Sequence, residues 1–414
     1  MGKFLVWGLG KSGISAVKLL KSKGFDVLHG DDARGDRWED FIGCVDTLVL
    51  SPGIPPRHPL WKEALKREIE VIGELELAFR FFGGEVIAVT GTDGKSTTTK
   101  LTYLMLSSYM PHVYEAGNIG TPLSEIVLKD PKATVIVEVS SFQGKTLSSF
   151  KPSVGAFLNF SPDHLDWHPS LEDYLLSKYN VFKRQEEGDI LLITPQEELK
   201  NVPTGARKID IISSTSLDGE EVRFGGEVLF RTTDLRLRGD HNLKNAIFAS
   251  LIAKLLGVPT SLLRDVLRNF RGLPFRMEHV ATIRGVEIYN DSKSTTPNSL
   301  RAALESFPDH SVLLIAGGKD KGADFYPLRE VVSRKVKLAL LIGETREMMK
   351  AAFGCDVDTK TLSSLEDAVS TAMRSATAGD FILFSPGCSS FDMFSDYIER
   401  GMTFNRLVKA FETA

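Results

Sequence analysis

The sequence predicts an α/β protein of three domains built on mostly parallel sheets, and three observations carry that expectation. Its 414 residues exceed what one hydrophobic core organises, since domains run to about 100–200 residues. Short β-rich runs alternate with amphipathic helical stretches almost throughout, the pattern of parallel strands joined by crossover helices. The loops that end those runs carry glycine and small polar residues, where open α/β sheets bind ligands. Boundaries at 1–83, 84–273 and 274–414 follow. The first domain is expected to be Rossmann-like, the central one of the P-loop ATPase type, and the third Rossmann-like again.

The first segment reads as strand "KFLVWGLG", helix "KSGISAVKLLKSKG", strand "FDVLHGDD" and strand "DTLVLSPGIPP". Gly8, Gly10 and Gly13 form G-x-G-x-x-G between strand and helix, and Asp31 and Asp32 close the next strand about 20 residues on. Either a nucleotide sits there or the glycines make a tight turn without a ligand. The segment is too short for two mononucleotide-binding halves, so it suits one nucleotide rather than NAD. Ser51 and Gly53 of "SPGIPP" are expected beside it.

The second segment opens on the strand "EVIAVTG" and continues with strands "ATVIVEVSS" and "VGAFLNFS". Its first loop, Gly91-Thr92-Asp93-Gly94-Lys95-Ser96-Thr97, is shorter than a standard phosphate loop, which places four residues between its first glycine and Gly-Lys-Ser/Thr. Val89 stands where that glycine belongs. The context is nevertheless that of an anion site: strand, glycine turn, then a helix start. Lys95 would meet the distal phosphates and Ser96 or Thr97 a magnesium ion.

"VIVEVSSFQ" ends with Glu138 close by, and "LNFSPDHLDWH" supplies Asp163, His164, Asp166 and His168. His164 and His168 at i, i+4 raise zinc, but Pro169 breaks a helix there and no thiolate is near. In "SLEDYLLSKYNVFKR", Leu171, Tyr174, Leu175, Lys178, Val181 and Phe182 recur at helical spacing, which puts Lys178 in an apolar stripe. Either its stem snorkels to water, or it is desolvated, loses its proton readily and becomes able to react with carbon dioxide. Residues 203–234 read as a short β-meander. Asn242 and Asn245, at the start of the next helix, are either caps or nucleotide contacts.

The third segment has strands "GVEIYND", "SVLLIAGG", "LALLIG" and "DFILFSPG". Arg276 and Glu278 stand at its start, and Asp291, Lys293, Ser294 and Thr295 precede a helix with Pro297 in its first turn. Lys293, Thr295, Lys319, Lys321, Ser389 and Ser390 are expected on one rim, a set suited to carboxylates or phosphates.

Composition narrows the function class. Hydrophobic content of 42% and charged content of 25% are those of an ordinary globular protein. No apolar run reaches the roughly 18–20 residues of a membrane span, so no membrane insertion is expected. "MGKFLVWGLG" has no small-residue cleavage site, and Val6 stands where myristoylation needs Ser or Thr; a cytoplasmic protein is the expectation. Cys44, Cys355 and Cys388 are far apart and odd in number, against a disulfide framework or a cysteine metal site. A net charge of −4 gives no general attraction to nucleic acid.

Over its full length the chain resembles the Mur ligases of peptidoglycan synthesis. The residues that carry this are "GTDGKSTTT", "EVSSFQ", "NFSPDHLDWH", the Lys178 helix, "GDHNLKN", "GLPFRME", "NDSKSTTP" and "SPGCSSFD". "GLGKSG" and "SPGIP" are similar to the member that adds D-glutamate. The resemblance implies ATP-dependent amide formation between UDP-N-acetylmuramoyl-L-alanine and D-glutamate, through an acyl phosphate, by a monomer that uses small-molecule substrates alone. It implies that residues 91–97 hold ATP and that Ser96, Glu138, His164 and a carbamoylated Lys178 hold Mg2+. It implies that Asn242, Asn245, Arg276 and Asp291 line ATP. Lys293, Thr295, Lys321 and Ser390, with Tyr397 beside them, would bind D-glutamate. Lys11, Ser12, Asp32, Arg34, Ser51, Gly53 and Asn118 would hold the UDP-muramoyl chain. Asp93 departs from the family's usual Asn and is expected to point away from the phosphates or to face magnesium; Tyr397 departs from the usual Phe. A folylpolyglutamate-type ligase would lack the first segment, and a non-catalytic regulator would have no need of Lys95, Glu138, His164 and Lys178 together.

Overall fold

Runs such as "IAV", "VIV", "LLIA" and "FILF" are apolar at every position rather than at alternate ones, and each becomes a strand buried on both faces. The computed structural model describes residues 2–412 apart from Asp166, Arg238, Lys321 and Cys355. Two compact units result: one runs to Arg236 and takes in Asp240–Phe270, and the other comprises Leu237–Gly239 and the chain from Arg271 onward.

The first unit holds two parallel sheets. Strands β1 (Lys3–Trp7), β2 (Asp26–Gly30), β3 (Thr47–Leu50) and β4 (Glu70–Gly73) lie in the order β2-β1-β3-β4. The second sheet comprises β5 (Glu85–Thr90), β6 (Val113–Gly117), β7 (Thr134–Glu138), β8 (Val154–Phe157), β9 (Ile190–Ile193) and β10 (Arg207–Asp210), ordered β10-β9-β8-β5-β7-β6. Its centre positions the site. β5 lies between β7 and β8 with Val89 opposite Glu138 and Thr90 opposite Phe157, so the residues that leave these three strands emerge side by side.

Two buried carboxylates tie the sheets of this unit together. Glu74 accepts the Ser124 amide at 2.7 Å, and Glu76 accepts the amides of Ser148, Ser149 and Phe150 at 3.0–3.2 Å. Donors of this kind are what make a buried carboxylate tolerable. The expected meander is shorter than 203–234. Only β11 (Thr215–Asp218), β12 (Glu221–Phe224) and β13 (Glu227–Arg231) form it, while β10 joins the main sheet as a parallel edge, where Arg207 and Lys208 stay in water.

In the second unit, β14 (Glu278–Ile283), β15 (Val286–Asn290), β16 (Val312–Gly317), β17 (Val336–Ile342), β18 (Asp358–Thr361) and β19 (Phe381–Phe384) are ordered β14-β15-β19-β16-β17-β18. All pairs are parallel except the β14–β15 hairpin. The α/β class with mostly parallel sheets read from the sequence is the one observed.

Candidate active site

Between β5 and the helix Lys95–Ser107 the chain turns through residues 91–94, and two asparagines explain its two glycines. A Cβ on Gly94, whose φ is +81°, would lie 2.3 Å from Asn245 Oδ1; one on Gly91 would press on Leu158 and Asn159 at 3.1–3.3 Å. The helix has no capping side chain, and its first backbone bond is Thr98 N to Gly94 O at 3.0 Å. Its first-turn amides and dipole therefore offer an anion a seat. Lys95 folds back, donating to Gly91 O at 3.0 Å and Thr92 O at 2.7 Å. Ser96 and Thr97 are buried behind it.

Lys178 reaches the same carbonyl, donating to Gly91 O at 2.7 Å, with its ammonium 4.6 Å from the Tyr174 ring centre. It is 1% exposed, which settles the choice between snorkelling and desolvation. Burial, aided by the Lys95 charge, holds its pKa well below the ordinary lysine range. The stripe that led there needs one correction. Leu171 is exposed, because the helix Leu171–Tyr179 buries Tyr174, Ser177 and Lys178, and Val181 and Phe182 are buried beyond its end.

Glu138, at the end of β7, is buried; its Oε1 accepts Asn118 Nδ2 at 2.7 Å while its Oε2 has no partner among the described residues. A buried carboxylate oxygen without a donor is costly, and a hard cation satisfies it. Among the described residues no three His, Cys, Asp or Glu side chains converge to hold a metal. Magnesium takes one or two carboxylates and completes its shell with phosphate oxygens and water, so a site for it need not form such a group. His164, at φ +54°, lies on the exposed side of the cluster, 3.4 Å from Asp163 and against the Phe142 ring at 4.8 Å. His168 is no zinc ligand, since its nitrogens meet Asp173 at 2.8 Å and Ser141 at 2.9 Å. Lys145 pairs with the same Asp173, a partly buried network that sequence reading missed. Asp166 lies outside the described residues.

The helix Asp240–Leu255 brings Asn245 to the phosphate loop, where its Oδ1 accepts Thr98 Oγ1 at 3.3 Å, and Asn242 Oδ1 accepts Asn245 Nδ2 at 3.4 Å. Asn245 thus packs against Gly94 of the loop and the helix that follows it, while Asn242 bonds within its own helix.

The first glycine loop is also built tightly. Gly8 has φ +91°, and a Cβ on Gly13 would lie 2.0 Å from Gly8 O, whereas Gly10 faces open space. Asp31 is structural: it accepts the amides of Leu9 at 2.5 Å and Ala33 at 2.9 Å, which lower its pKa. Asp32 meets Trp7 Nε1 at 3.1 Å and His58 at 3.3 Å yet stays half-exposed. Lys11 opens the helix Lys11–Ser22 and donates to Gly120 O at 2.7 Å; Ser12 follows it. Arg34 and Gly53 are exposed, and Ser51 lines a narrow cleft with Glu74, Phe142, Gln143 and Trp167.

In the second unit Asp291 is buried, accepts Ser385 Oγ at 2.8 Å and the Met277 amide at 3.1 Å, and is pushed up to about 7 by burial. Arg276 Nε is buried without a partner among the described residues. Lys293 lies 5.7 Å from the Tyr397 ring centre and Thr295 is exposed. Ser389 and Ser390 are buried rather than on the rim, because their loop folds over Arg400. That arginine, fully buried, donates to Ser292 O at 2.8 Å and Cys388 O at 3.0 Å and was invisible in the sequence. Lys319 pairs with Glu344 at 2.7 Å, and Lys321 lies outside the described residues.

Comparison with known proteins extends these observations. The family model for the Mur ligase middle domain matches residues 89–253, and that for the Mur ligase, glutamate ligase domain matches 275–388. The chain is 55% identical over 99% of each chain to the UDP-N-acetylmuramoylalanine–D-glutamate ligase of Aquifex aeolicus. The UDP-N-acetylmuramate-alanine ligase MurC of Thermotoga maritima shares the fold at a TM-score of 0.62 and 17% identity, over 99% of this chain and 100% of that one. The MurF ligase of Thermotoga maritima, solved in complex with ADP, does so at a TM-score of 0.60 and 17% identity, over 90% and 92%.

Proposed function

The chain belongs to the Mur ligase family, and we propose that it joins D-glutamate to UDP-N-acetylmuramoyl-L-alanine, converting ATP to ADP and phosphate. One observation carries the choice of substrates: the identity to the D-glutamate-adding relative spans the whole chain, including the first 88 residues that the family models leave unmatched. That stretch holds the glycine loop suited to one nucleotide-linked substrate and one wall of the cleft at Ser51. Folylpolyglutamate-type ligases are expected to lack it.

The chemistry follows from what the loop offers. A carboxylate does not react with an amine, so the terminal phosphoryl group of ATP first converts it to an acyl phosphate. The amine of D-glutamate then attacks the carbonyl carbon, and the tetrahedral intermediate expels phosphate. Lys95 and the uncapped first-turn amides neutralise charge that grows on phosphoryl oxygen, the main catalytic task in such a transfer. Glu138, with Ser96, would hold magnesium, which supplies further charge neutralisation when bound. Lys178 is a desolvated amine of lowered pKa; reaction with carbon dioxide would release a proton and leave a carbamate anion facing the loop. We assign ATP contacts also to Asn242, Asn245, Arg276 and Asp291, and D-glutamate to Lys293, Thr295, Lys321 and Ser390, with Tyr397 beside them. We further propose domains at 1–83, 84–273 and 274–414, a monomer, and a cytoplasmic setting where ATP is supplied. No helix of the described residues is long and apolar enough to cross a membrane.

Phosphate release from ATP tests the proposal. Release is expected with UDP-N-acetylmuramoyl-L-alanine and D-glutamate together. Release that did not depend on D-glutamate, or ran equally well with L-lysine, would overturn it.

A further inference from the structure

We infer that Asn159 is the positioning residue that decides which amides of the shortened loop face phosphate; the inference rests on the ATP-dependent reading above. Asn159 follows β8, next to β5 in the sheet. Its Oδ1 accepts the amides of Thr92 at 3.1 Å and Asp93 at 2.9 Å, its Nδ2 donates to Asp93 O at 3.1 Å, and its own backbone oxygen lies 3.1 Å from Thr92 N. Both amides in the first half of the loop are thereby turned to Asn159. In a loop of standard length the amides at this stage wrap the phosphates. Here the seat is left to Gly94 and the uncapped first turn of the helix. Asn159 thus does for the short loop what two further residues do in the longer one.

The side chain has to be an amide. Only a group that both accepts and donates can hold the Asp93 amide and carbonyl at once, and a carboxylate in its place would set a negative charge beside the phosphates. Gly91 completes the device, because a Cβ there would press on Leu158 and Asn159. With residue 93 held through its backbone alone, its side chain is left exposed, and Asp is accommodated there.

The test measures Mg-ADP binding by calorimetry on the full chain, with wild type, Asn159→Ala and Asn159→Asp. Loss of these contacts is expected to weaken ADP binding about tenfold or more and to raise KM for ATP alike. KM for the two other substrates should stay within about twofold, and hydrogen exchange at the Thr92 and Asp93 amides should quicken in Asn159→Ala. A merely structural role would move all three KM values together. ADP affinity equal to wild type in either variant overturns the inference. If Asn159→Ala does not fold, Asn159→Ser, which is too short to hold the Asp93 amide and carbonyl together and adds no charge, decides in its place. Failure of wild type itself to bind Mg-ADP would overturn the functional reading as well, so the two failures are distinguishable.

Discussion

The two glycine loops of the first unit share a plan and differ in the charge of what holds them. Each leaves a parallel strand, turns, and opens a helix whose first residue is lysine, Lys11 in one and Lys95 in the other. Each is pinned by a short side chain that follows a neighbouring strand. Asp31 accepts the Leu9 amide, and Asn159 accepts those of Thr92 and Asp93. Asp31 is held ionised by its amide donors, whereas Asn159 is neutral. An anion at the root of a helix start offsets the positive end of the dipole, and a neutral amide leaves it for the ligand. The charge of the anchor, rather than the glycine pattern, separates a loop fit for a triphosphate from one fit for a less charged partner.

The largest expected effect sets the two lysines against each other. Lys95→Ala should lower kcat by about 10²–10³-fold, the loss typical of one donor aimed at transition-state charge. Lys11→Ala should leave kcat intact and raise KM for the UDP-linked substrate about tenfold, as loss of uniform binding does. Steady-state kinetics on both variants check this. Equal losses of kcat would break the comparison.

The glycines sharpen it next. Gly94→Ala places a side chain at φ +81°, 2.3 Å from Asn245 Oδ1, and should cost about 1–3 kcal/mol of stability. Gly10 has φ −68° and no atom within 4 Å of an added Cβ, so Gly10→Ala should stay within about 0.5 kcal/mol of wild type. Urea unfolding measures both. Gly10→Ala should still weaken the UDP-linked substrate, because the space it fills is the ligand's.

What separates these loops was only half legible in the sequence. Strand, turn, helix and the lysine at each helix start are local, and local patterning reported them correctly. Lys178 was legible for the same reason: Tyr174 and Lys178 share a helix face whatever the rest of the fold does. The anchors were not. Asn159 lies 67 residues from Thr92, and only the β5–β8 register brings them together. Arg400 under the Ser389–Ser390 loop and the Lys145–Asp173–His168–Ser141 chain are pairings of the same long-range kind. Of the two acids that close β2, the sequence did not say which one the loop itself would occupy. The spacing of Asp31 fits a ribose-binding acid, yet its carboxylate is occupied by the loop itself.

That occupation has a pH signature. Amide donors lower the Asp31 pKa, so its contribution to stability is complete above the ordinary carboxylate value of about 3.9 and is lost as pH falls through the lower folded value. Asp31→Asn keeps an acceptor without the charge. It should be less stable than wild type by up to about 1 kcal/mol near neutral pH, solvent screening keeping the figure small, and the gap should narrow as pH falls below the ordinary carboxylate value. A gap that stayed constant with pH would mean that geometry, not charge, distinguishes the anchors.

The smallest effect is expected at Asp93, where the sequence departs from its family. Its backbone is held by Asn159 on both sides and its side chain is exposed, reaching Lys178 only through space, where it opposes the fall in that lysine's pKa. Asp93→Asn should therefore change KM for magnesium-ATP by less than about threefold, under about 0.7 kcal/mol. The difference should shrink further in salt, since exposed charges are screened. Removing the carboxylate also lowers the Lys178 pKa further, so carbon dioxide from added labelled bicarbonate should convert more Lys178 to its carbamate at pH 7, which carbon NMR reads in the folded protein. A rise of tenfold or more in KM, with a matching loss of magnesium dependence, would instead place the Asp93 carboxylate on the metal. The neutral anchor would then be paired with an anionic loop, and the charge difference between the two loops would no longer explain their ligands.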